Sequence, residues 1–167
     1  ANHHPRVNIL QPGPGVGGHC IAVDPWFIVY NAPDKTPLIQ SARQVNNGKP
    51  DHVIDKILDI ANKNGATTIA CLGLAYKANI DDMRESPAVT ITATLTERFH
   101  GEVLVVEPNS ETLPDTLVSI KGLTLCDLDS AFEISQVIAL LVDHQEFREL
   151  DRTRLEGKLV IDTRGIW

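Results

Sequence analysis

The sequence lacks most of the features that mark secreted, membrane-spanning or nucleic-acid-binding proteins. Its three cysteines, at positions 20, 71 and 126, cannot all pair and have no Cys-x-x-Cys or zinc-ligand spacing. No apolar run approaches the roughly 18 residues of a membrane-spanning helix. The net charge of −7 argues against nucleic acid or an anionic membrane as the main partner. These absences predict a cytoplasmic globular protein with no metal, nucleic-acid or membrane partner.

The beginning of the chain also lacks an initiator methionine and a signal peptide. The first residues, Ala1 to Arg6, contain two histidines and no apolar segment. We therefore expect the chain to start inside a longer gene product. Its 167 residues, of which 43% are hydrophobic and 22% charged, are enough for one α/β domain and a short additional segment.

The second half of the sequence alternates between short apolar runs and helical patterns. Apolar runs typical of buried parallel strands occur at 69–74, 103–106, 123–126, 137–142 and 159–161. Cys71 and Cys126 lie in such runs, and we expect both to be small buried core residues. Helices are predicted at 87–99, where Ser86 is the expected N-cap, and at 127–134 after Asp127. This alternation predicts a Rossmann-like α/β fold, a doubly wound parallel sheet of about five strands.

The first part of the sequence has a different pattern. Residues 12–19 are rich in glycine and proline, as in a loop. From about 38 to 64 apolar residues recur at threes and fours, which predicts a long central helix. Because Gly-Lys-Pro at 48–50 interrupts this pattern, we expect a kink or two abutting helices there. The chain thus divides into residues 1–64, with the cysteine loop and the central helix, and residues 65–167, with the sheet.

The glycine-rich loop ends in a cysteine that a ligand can reach. Cys20 follows several glycines and two prolines, and a backbone this open lets a ligand approach the thiol closely. Asp24 lies four residues later, one turn away if the segment is helical. An accessible thiol beside a carboxylate that orders water or moves protons is what covalent catalysis requires. The alternatives are an incidental thiol at Cys20 and a helix-start carboxylate at Asp24.

The same loop formally matches the dinucleotide-binding pattern Gly-x-Gly-x-x-Gly at 13–18. That pattern needs a helix opening on its last glycine, and the prolines and the following His-Cys do not suit this context. We interpret the segment as a loop whose backbone N–H groups approach a substrate, with a plain structural turn as the alternative.

Charged residues follow the first and the last predicted strand. Lys77 and Arg84 lie where the carboxyl ends of parallel strands form a ligand crevice, and cations there suit a phosphate or a carboxylate. Arg164 follows the last strand and would reach the same edge. The acidic residues beside Arg84 can instead pair with it and hold the loop in shape, and the nearby cations argue against a metal site.

Two long segments of the sequence together resemble one enzyme family. They are GPGVGGHCIAVDPWF at 13–27 and GLAYKANIDDMRESP at 73–87. Both resemble the UDP-glucose/GDP-mannose dehydrogenase family, and the similarity continues through VEPN at 106–109, LVDH at 141–144 and VIDTRGIW at 160–167. The resemblance implies an NAD-dependent, two-step oxidation of a sugar C6 alcohol to a carboxylate, in which a cysteine adds to the intermediate aldehyde.

The resemblance also implies roles for individual residues. Cys20 falls on the family's nucleophile, and Asp24 on the aspartate that assists proton transfer and water. Arg84 falls on a position that contacts NAD. Of the remaining positions, His4 and Arg6 would reach the site from a partner subunit. The residues implied to bind the UDP-sugar are His4, Arg6, Gly17, Tyr76, Lys77 and Arg164.

The family pattern extends beyond this sequence. Family members begin with an NAD-binding Rossmann domain and carry a catalytic lysine and asparagine upstream of the region matched here. We therefore expect a missing N-terminal half and no turnover by this chain alone. Residues 38–64 resemble the family's central helix, which implies a homodimer contact. Two alternatives stay open: a stand-alone UDP-sugar-binding module and a purely structural dimerisation domain.

Overall fold

The computed structural model describes Arg6 and residues 11–167 of the chain. These residues form one sheet of five parallel strands in the order β3-β2-β1-β4-β5. The strands are β1 (Thr68–Leu72), β2 (Glu102–Val106), β3 (Leu123–Leu125), β4 (Val137–Leu140) and β5 (Leu159–Asp162). This order is that of a doubly wound sheet, in which the chain winds outward from the middle strand in both directions. The predicted Rossmann-like α/β fold is confirmed, and each strand overlaps its predicted apolar run.

Helices of different length connect the strands and precede the sheet. They are α1 (Asp24–Asn31), α2 (Pro37–Asn47), α3 (Lys49–Lys63), α4 (Pro87–Arg98), α5 (Asp115–Val118), α6 (Leu128–Ile134) and α7 (Gln145–Arg148). Helices α4 and α6 begin as predicted, because Ser86 accepts the N–H of Ala88 at 3.2 Å and Asp127 accepts that of Ser130 at 2.8 Å. The sequence pattern did not indicate α5 and α7, because one turn is too short to show helical periodicity. Within the described residues, none of the helices combines the length and apolar character needed to cross a membrane.

The predicted central helix over 38–64 is divided at Gly48. Helices α2 and α3 flank this residue, and Pro50 lies in the first turn of α3, where a missing N–H breaks no helical hydrogen bond. Gly65, with a φ of 63°, follows the end of α3. The expected interruption is therefore confirmed as two abutting helices, and these precede the sheet in place of one long helix.

Alternate residues of each strand face two different helical layers. On one face, Ile69 and Cys71 of β1 pack with the buried side chains of α3 and α4. On the other face, Ala70 and Leu72 pack with α6 and α7 around the fully buried Phe147. Both faces of the sheet are thus covered, which explains the continuous apolar runs of the strands.

The three cysteines lie in three different environments. Cys71 is fully buried, as predicted, and burial raises the pKa of its thiol to about 12. Cys126 is only half-buried, because it follows β3, one of the two edge strands of the sheet, so the prediction of a core position holds only in part. Cys20 is exposed.

Candidate functional site

The cysteine loop, residues 11–20, is fastened to two other elements of the chain. The N–H of Val16 donates to Oδ1 of Asn46 on α2 at 3.0 Å. The N–H of Gly18 donates to the carbonyl oxygen of Arg84 at 3.3 Å. Two N–H groups of the loop are therefore used within the protein, where the sequence analysis expected N–H groups free to approach a substrate. Sequence reasoning did not single out Asn46, which lies on the half-buried face of α2 with Ile39 and Arg43.

The glycines of this loop allow it to lie directly on the start of α4. A Cβ at Gly15 would lie 2.9 Å from Cγ of Pro87, and one at Gly17 would lie 2.9 Å from Cδ of the same proline. At Gly18, where φ is 85°, a Cβ would lie 2.9 Å from the ring of Tyr76. Any other residue at Gly15 or Gly17 would push the loop away from α4, whereas one at Gly18 would displace the ring of Tyr76.

Cys20 lies in the turn that leads into α1. Its carbonyl accepts the N–H of Asp24 at 2.7 Å, which is the i to i+4 hydrogen bond of a helix. Residues 21–23 are turn residues that lead into α1, so one hydrogen-bonded turn of the backbone joins Cys20 to Asp24. Both residues are exposed. The helix that follows the loop begins at Asp24 and not at the last glycine, unlike a dinucleotide-binding loop.

A cavity of about 550 Å³ lies between the cysteine loop and the carboxyl ends of β1 and β4. Its volume is in the range of small-molecule sites, roughly 300–1,000 Å³. The predicted substrate-binding residues Gly17, Tyr76, Lys77 and Arg164 all line it. Of the other two predicted residues, Arg6 is exposed and His4 lies outside the described residues.

Two carboxylates hold Arg164 at this cavity. Asp143, directly after β4, pairs with Nε of Arg164 at 2.8 Å and also pairs with Arg148. Asp162 accepts the N–H groups of residues 164–167 at 2.7 to 2.9 Å and so fixes the backbone that carries the guanidinium. Burial alone would raise the pKa of Asp143, but Arg164 and Arg148 hold it below its usual range. Sequence reasoning did not single out these acids, although both lie at strand ends, where ligand sites form.

A second cavity of about 720 Å³ adjoins the first and shares Val16, Ser86 and Pro87 with it. Arg84, the residue predicted to contact a cofactor, lines this second cavity together with Arg43. The predicted substrate-binding and cofactor-binding residues thus lie on adjoining cavities.

The turn between Cys20 and α1 separates the two cavities, because Ile21 lines the first and Val23 lines the second.

Asp82 holds Arg84 with two parallel contacts, 2.9 Å to Nε and 2.6 Å to Nη2. The hydrogen bonds from Arg84 lower the pKa of Asp82 to about 2. The pairing of Arg84 with a neighbouring acid, which the sequence left open as an alternative to ligand binding, is therefore present.

The first turn after β1 is occupied by a side chain of the protein itself. Glu107, at the end of β2, accepts the N–H of Leu74 at 2.7 Å and that of Ala75 at 3.1 Å. Its side chain is completely buried. Sequence reasoning noted Glu107 only within the VEPN motif and gave it no role. Across the described chain, the structure contains no cluster of His, Cys, Asp and Glu side chains suited to a metal ion.

Two sequence models of one family match this chain. The model of the UDP-glucose/GDP-mannose dehydrogenase family, UDP binding domain, matches residues 70–167. The model of the central domain of the same family matches residues 1–48.

Individual proteins match over the whole chain. The NDP-N-acetyl-D-galactosaminuronic acid dehydrogenase of Ralstonia nicotianae is 54% identical over 167 residues, which are 100% of this chain and 39% of that protein. The UDP-N-acetyl-D-mannosamine dehydrogenase of Escherichia coli K12 is 49% identical over 100% of this chain and 41% of its own length. Among solved structures, the UDP-N-acetyl-mannosamine dehydrogenase Cap5O from S. aureus matches with a TM-score of 0.77 and 37% identity, over 99% of this chain and 38% of that one. The chain spans about two fifths of the length of these relatives.

Proposed function

This chain belongs to the UDP-glucose/GDP-mannose dehydrogenase family, and from that premise we propose that it is the C-terminal part of an NAD-dependent UDP-N-acetyl-D-mannosamine 6-dehydrogenase. The reaction oxidises the C6 alcohol of the sugar to a carboxylate and gives UDP-N-acetyl-D-mannosaminuronate. The segment GGHCIAVDPWF at 17–27, which resembles that of UDP-N-acetyl-D-mannosamine dehydrogenases, supports this substrate. The observation that carries the proposal is the cavity of about 550 Å³ beside the cysteine loop, lined by Gly17, Tyr76, Lys77 and Arg164.

The charges at this cavity suit a nucleoside diphosphate. Arg164 is held by Asp143, and Lys77 is exposed on the loop after β1. A guanidinium and an ammonium that both line one cavity match the two negative phosphates of a UDP-sugar. Tyr76 is half-buried against the cysteine loop and supplies an aromatic face for the base or the sugar ring. We propose that the cations hold the diphosphate and that the sugar extends toward Cys20.

Cys20 and Asp24 carry the proposed chemistry of this chain. The thiolate of Cys20 forms a bond to the aldehyde carbon that the first oxidation produces, which gives a thiohemiacetal. Oxidation of this adduct leaves a thioester on Sγ. Water then attacks the thioester carbon, the C–S bond breaks, and the thiolate leaves. Asp24, one turn from the thiol, orients this water and accepts its proton.

NAD, the oxidant of this reaction, does not fit at the turn after β1, where dinucleotides usually bind to a doubly wound sheet. In such a position the turn after the first strand binds the pyrophosphate, whereas here Glu107 takes the N–H groups of that turn. We therefore propose that NAD binds mainly on the missing N-terminal half and that Arg84 contacts it from the second cavity. When bound, NAD supplies the oxidation by accepting hydride from the sugar C6 in each of the two steps.

The exposed apolar surface of this chain indicates where partners bind. Helices α1 and α2 expose large apolar side chains, among them Phe27, Tyr30 and Val45. We propose that the missing N-terminal half and a second copy of the protein cover this surface, with residues 38–64 at the homodimer contact. His4 and Arg6 would then reach the UDP-sugar site of the partner subunit.

A second substrate is favoured by one comparison. The relative with 54% identity is named an NDP-N-acetyl-D-galactosaminuronic acid dehydrogenase. UDP-N-acetyl-D-galactosamine differs from UDP-N-acetyl-D-mannosamine only in the configuration of sugar carbons. Both sugars carry the same UDP group and the same C6 alcohol, so the same residues of this chain serve either substrate.

A calorimetric titration tests the proposed function. The chain is titrated with UDP-N-acetyl-D-mannosamine, with UDP-N-acetyl-D-galactosamine and, in parallel, with NAD. We expect binding of a UDP-sugar and no binding of NAD. Arg164→Ala should weaken the binding at least tenfold, and Arg148→Ala is the matched control, because Arg148 also pairs with Asp143 but does not line the cavity. Absence of UDP-sugar binding, or equal effects of the two variants, would contradict the proposed site.

A further inference from the structure

The loop that carries Tyr76 and Lys77 is fastened at its first end by a buried carboxylate. Glu107 has no exposed side-chain surface. Its Oε2 accepts the N–H groups of Leu74 and Ala75, and its Oε1 accepts the N–H of Asn109 at 3.0 Å. A buried charge requires such donors, and both carboxylate oxygens use theirs. The position of the chain just before Tyr76 therefore depends on Glu107.

A buried histidine fastens the other end of the same loop. Nδ1 of His144 accepts the backbone N–H of Asn79 at 2.9 Å. Nε2 lies 3.3 Å from Oε2 of Glu107. The side chain of Asn79 in turn accepts the N–H of Gln145, at the start of α7, at 2.8 Å. The loop is thus held on both sides of Tyr76 and Lys77.

The position of Glu107 differs from that of the corresponding acid in a dinucleotide site. There, the acid after the second strand binds a ribose, and the turn after the first strand binds a pyrophosphate through its N–H groups. Here the acid after β2 binds the N–H groups of the turn after β1. The protein itself supplies the negative charge that a ligand would bring to these N–H groups. The nucleotide is left to bind in the cavity that Tyr76, Lys77 and Arg164 line.

From this geometry we infer that Glu107 is a positioning residue for the nucleotide-sugar cavity, which holds Tyr76 and Lys77 against their ligand through the N–H groups of Leu74 and Ala75. This inference rests on the proposed function, because it assigns the ligand of Tyr76 and Lys77 to a uridine nucleotide. It does not place Glu107 in contact with the ligand. Glu107 acts through the loop.

The inference requires a carboxylate and not merely a polar side chain at position 107. Glutamine has the same shape, but only one of its two terminal atoms accepts hydrogen bonds. In Glu107→Gln the amide NH₂ must face either the N–H groups of Leu74 and Ala75 or that of Asn109, and a donor then opposes a donor. The loop would shift although the volume of the side chain is conserved.

The test measures UDP affinity and loop structure in the same variants. The matched control is Glu102→Gln, the same change at the exposed, opposite end of β2. We expect calorimetry to show UDP affinity reduced about tenfold or more in Glu107→Gln and unchanged within about twofold in Glu102→Gln. In ¹⁵N-labelled protein, the amide signals of residues 73–79 and the ring signals of Tyr76 should move in Glu107→Gln, while those of α3 stay in place.

Each outcome decides either the inference or the proposed function. Folded Glu107→Gln that binds UDP like the unmodified chain overturns the inference. If the unmodified chain binds no UDP, the proposed function fails, and the Tyr76 signals alone decide the positioning: a shift supports it and no shift overturns it. If Glu107→Gln does not fold, Asn109→Ala replaces it, because this variant withdraws a side-chain donor from both Glu107 and His144. A smaller loss of UDP affinity, about threefold, is then expected, and an unchanged affinity overturns the inference.

Discussion

Two parts of this chain are stabilised in different ways: the sheet with its covering helices, and the cysteine loop with α1 and α2. The strands of the sheet are buried on both faces, and α3 and α4 contribute fully buried side chains such as Ile57 and Leu95. Helices α1 and α2, by contrast, contain no buried residue among those that the structure describes. The cysteine loop in front of them is held by a few hydrogen bonds and by close packing of glycines on α4.

This difference in packing separates the proposed binding groups, Arg164 and Tyr76, from the proposed reacting group, the thiol of Cys20. Arg164 and Tyr76 belong to loops anchored on the sheet, so their positions follow from the core. Cys20 and Asp24 belong to a segment whose apolar side chains Phe27 and Ile28 are mostly exposed. Under the proposed function, substrate binding depends mainly on this chain, and the placement of the thiol depends more on the partner proposed to cover α1 and α2. The predictions below test this division.

The largest expected difference is in thiol reactivity. Cys71 lies in the sheet core, where burial raises the pKa of the thiol to about 12, whereas Cys20 is exposed. At pH 8 about one Cys71 thiol in ten thousand is ionised, and a disulfide reagent cannot reach it without unfolding. We expect Cys20 to react at least about a thousandfold faster than Cys71 in the native chain, and at a similar rate in urea. In a Cys126→Ser background, which removes the half-buried third thiol, Cys20→Ser should remove the fast phase. A fast phase that survives in this variant would contradict the comparison.

A matched pair of isoleucines compares the two parts directly. Ile57 on α3 is fully buried, and Ile28 on α1 is 53% exposed. Ile57→Ala should lower the free energy of unfolding by about 2–5 kcal/mol, because it leaves a cavity in the core. Ile28→Ala should change it by no more than about 0.5 kcal/mol. Urea unfolding measures both. Equal losses, or a loss at Ile28 that grows with protein concentration, would show that α1 is packed against a second copy in solution.

Much of the sheet region follows from local sequence signals. Apolar runs predict its strands, and Ser86 and Asp127 predict the starts of α4 and α6, because strand burial and helix caps are local properties. The predicted substrate-binding residues Tyr76 and Arg164 do line one cavity. Here the order of strands in a doubly wound sheet brings the ends of β1, β4 and β5 together.

The polar contacts that hold the site could not be predicted in the same way. Glu107 bonds to Leu74, which is 33 positions away in sequence, and this contact depends on the register of β1 against β2. The bond between Asn46 and Val16 depends on how α2 lies on the loop, which no periodicity encodes. Asp162 fixes the backbone after it through local hydrogen bonds. The sequence showed only that an acidic residue ends this strand, and did not show which N–H groups its carboxylate accepts. Side-chain to backbone contacts across long separations are set by tertiary packing.

Glycine substitutions provide the next test, because they separate backbone strain from crowding. Gly73, Gly18 and Gly65 all have positive φ. A Cβ at Gly73 would lie 2.5 Å from Cβ of Val142 in the core, whereas no described atom lies within 4 Å of one at Gly65. Gly73→Ala should cost about 3 kcal/mol or more, and Gly65→Ala about 1–2 kcal/mol, the strain of the left-handed conformation alone. Gly18→Ala should resemble Gly65→Ala in stability, because the Tyr76 ring it meets can move. A cost at Gly18 equal to that at Gly73 would show that the loop is as rigid as the core.

The smallest expected effect is a pH-dependent one at the edge of the sheet. Arg164 and Arg148 hold the pKa of Asp143 below its usual range, even though burial alone would raise it. A carboxylate whose pKa is lower in the folded than in the unfolded chain stabilises the fold above the unfolded value, about 3.9, and this contribution disappears as the pH falls through the folded pKa. Asp143→Asn should therefore cost about 1 kcal/mol at pH 6 and less at pH 3, as measured by urea unfolding. Asp24→Asn, in the exposed turn of α1, is the counterpart in the other region and should change stability by no more than about 0.5 kcal/mol at either pH. A loss at Asp143 that is the same at pH 6 and pH 3 would mean that the shape of its side chain, and not its charge, holds Arg164 at the cavity.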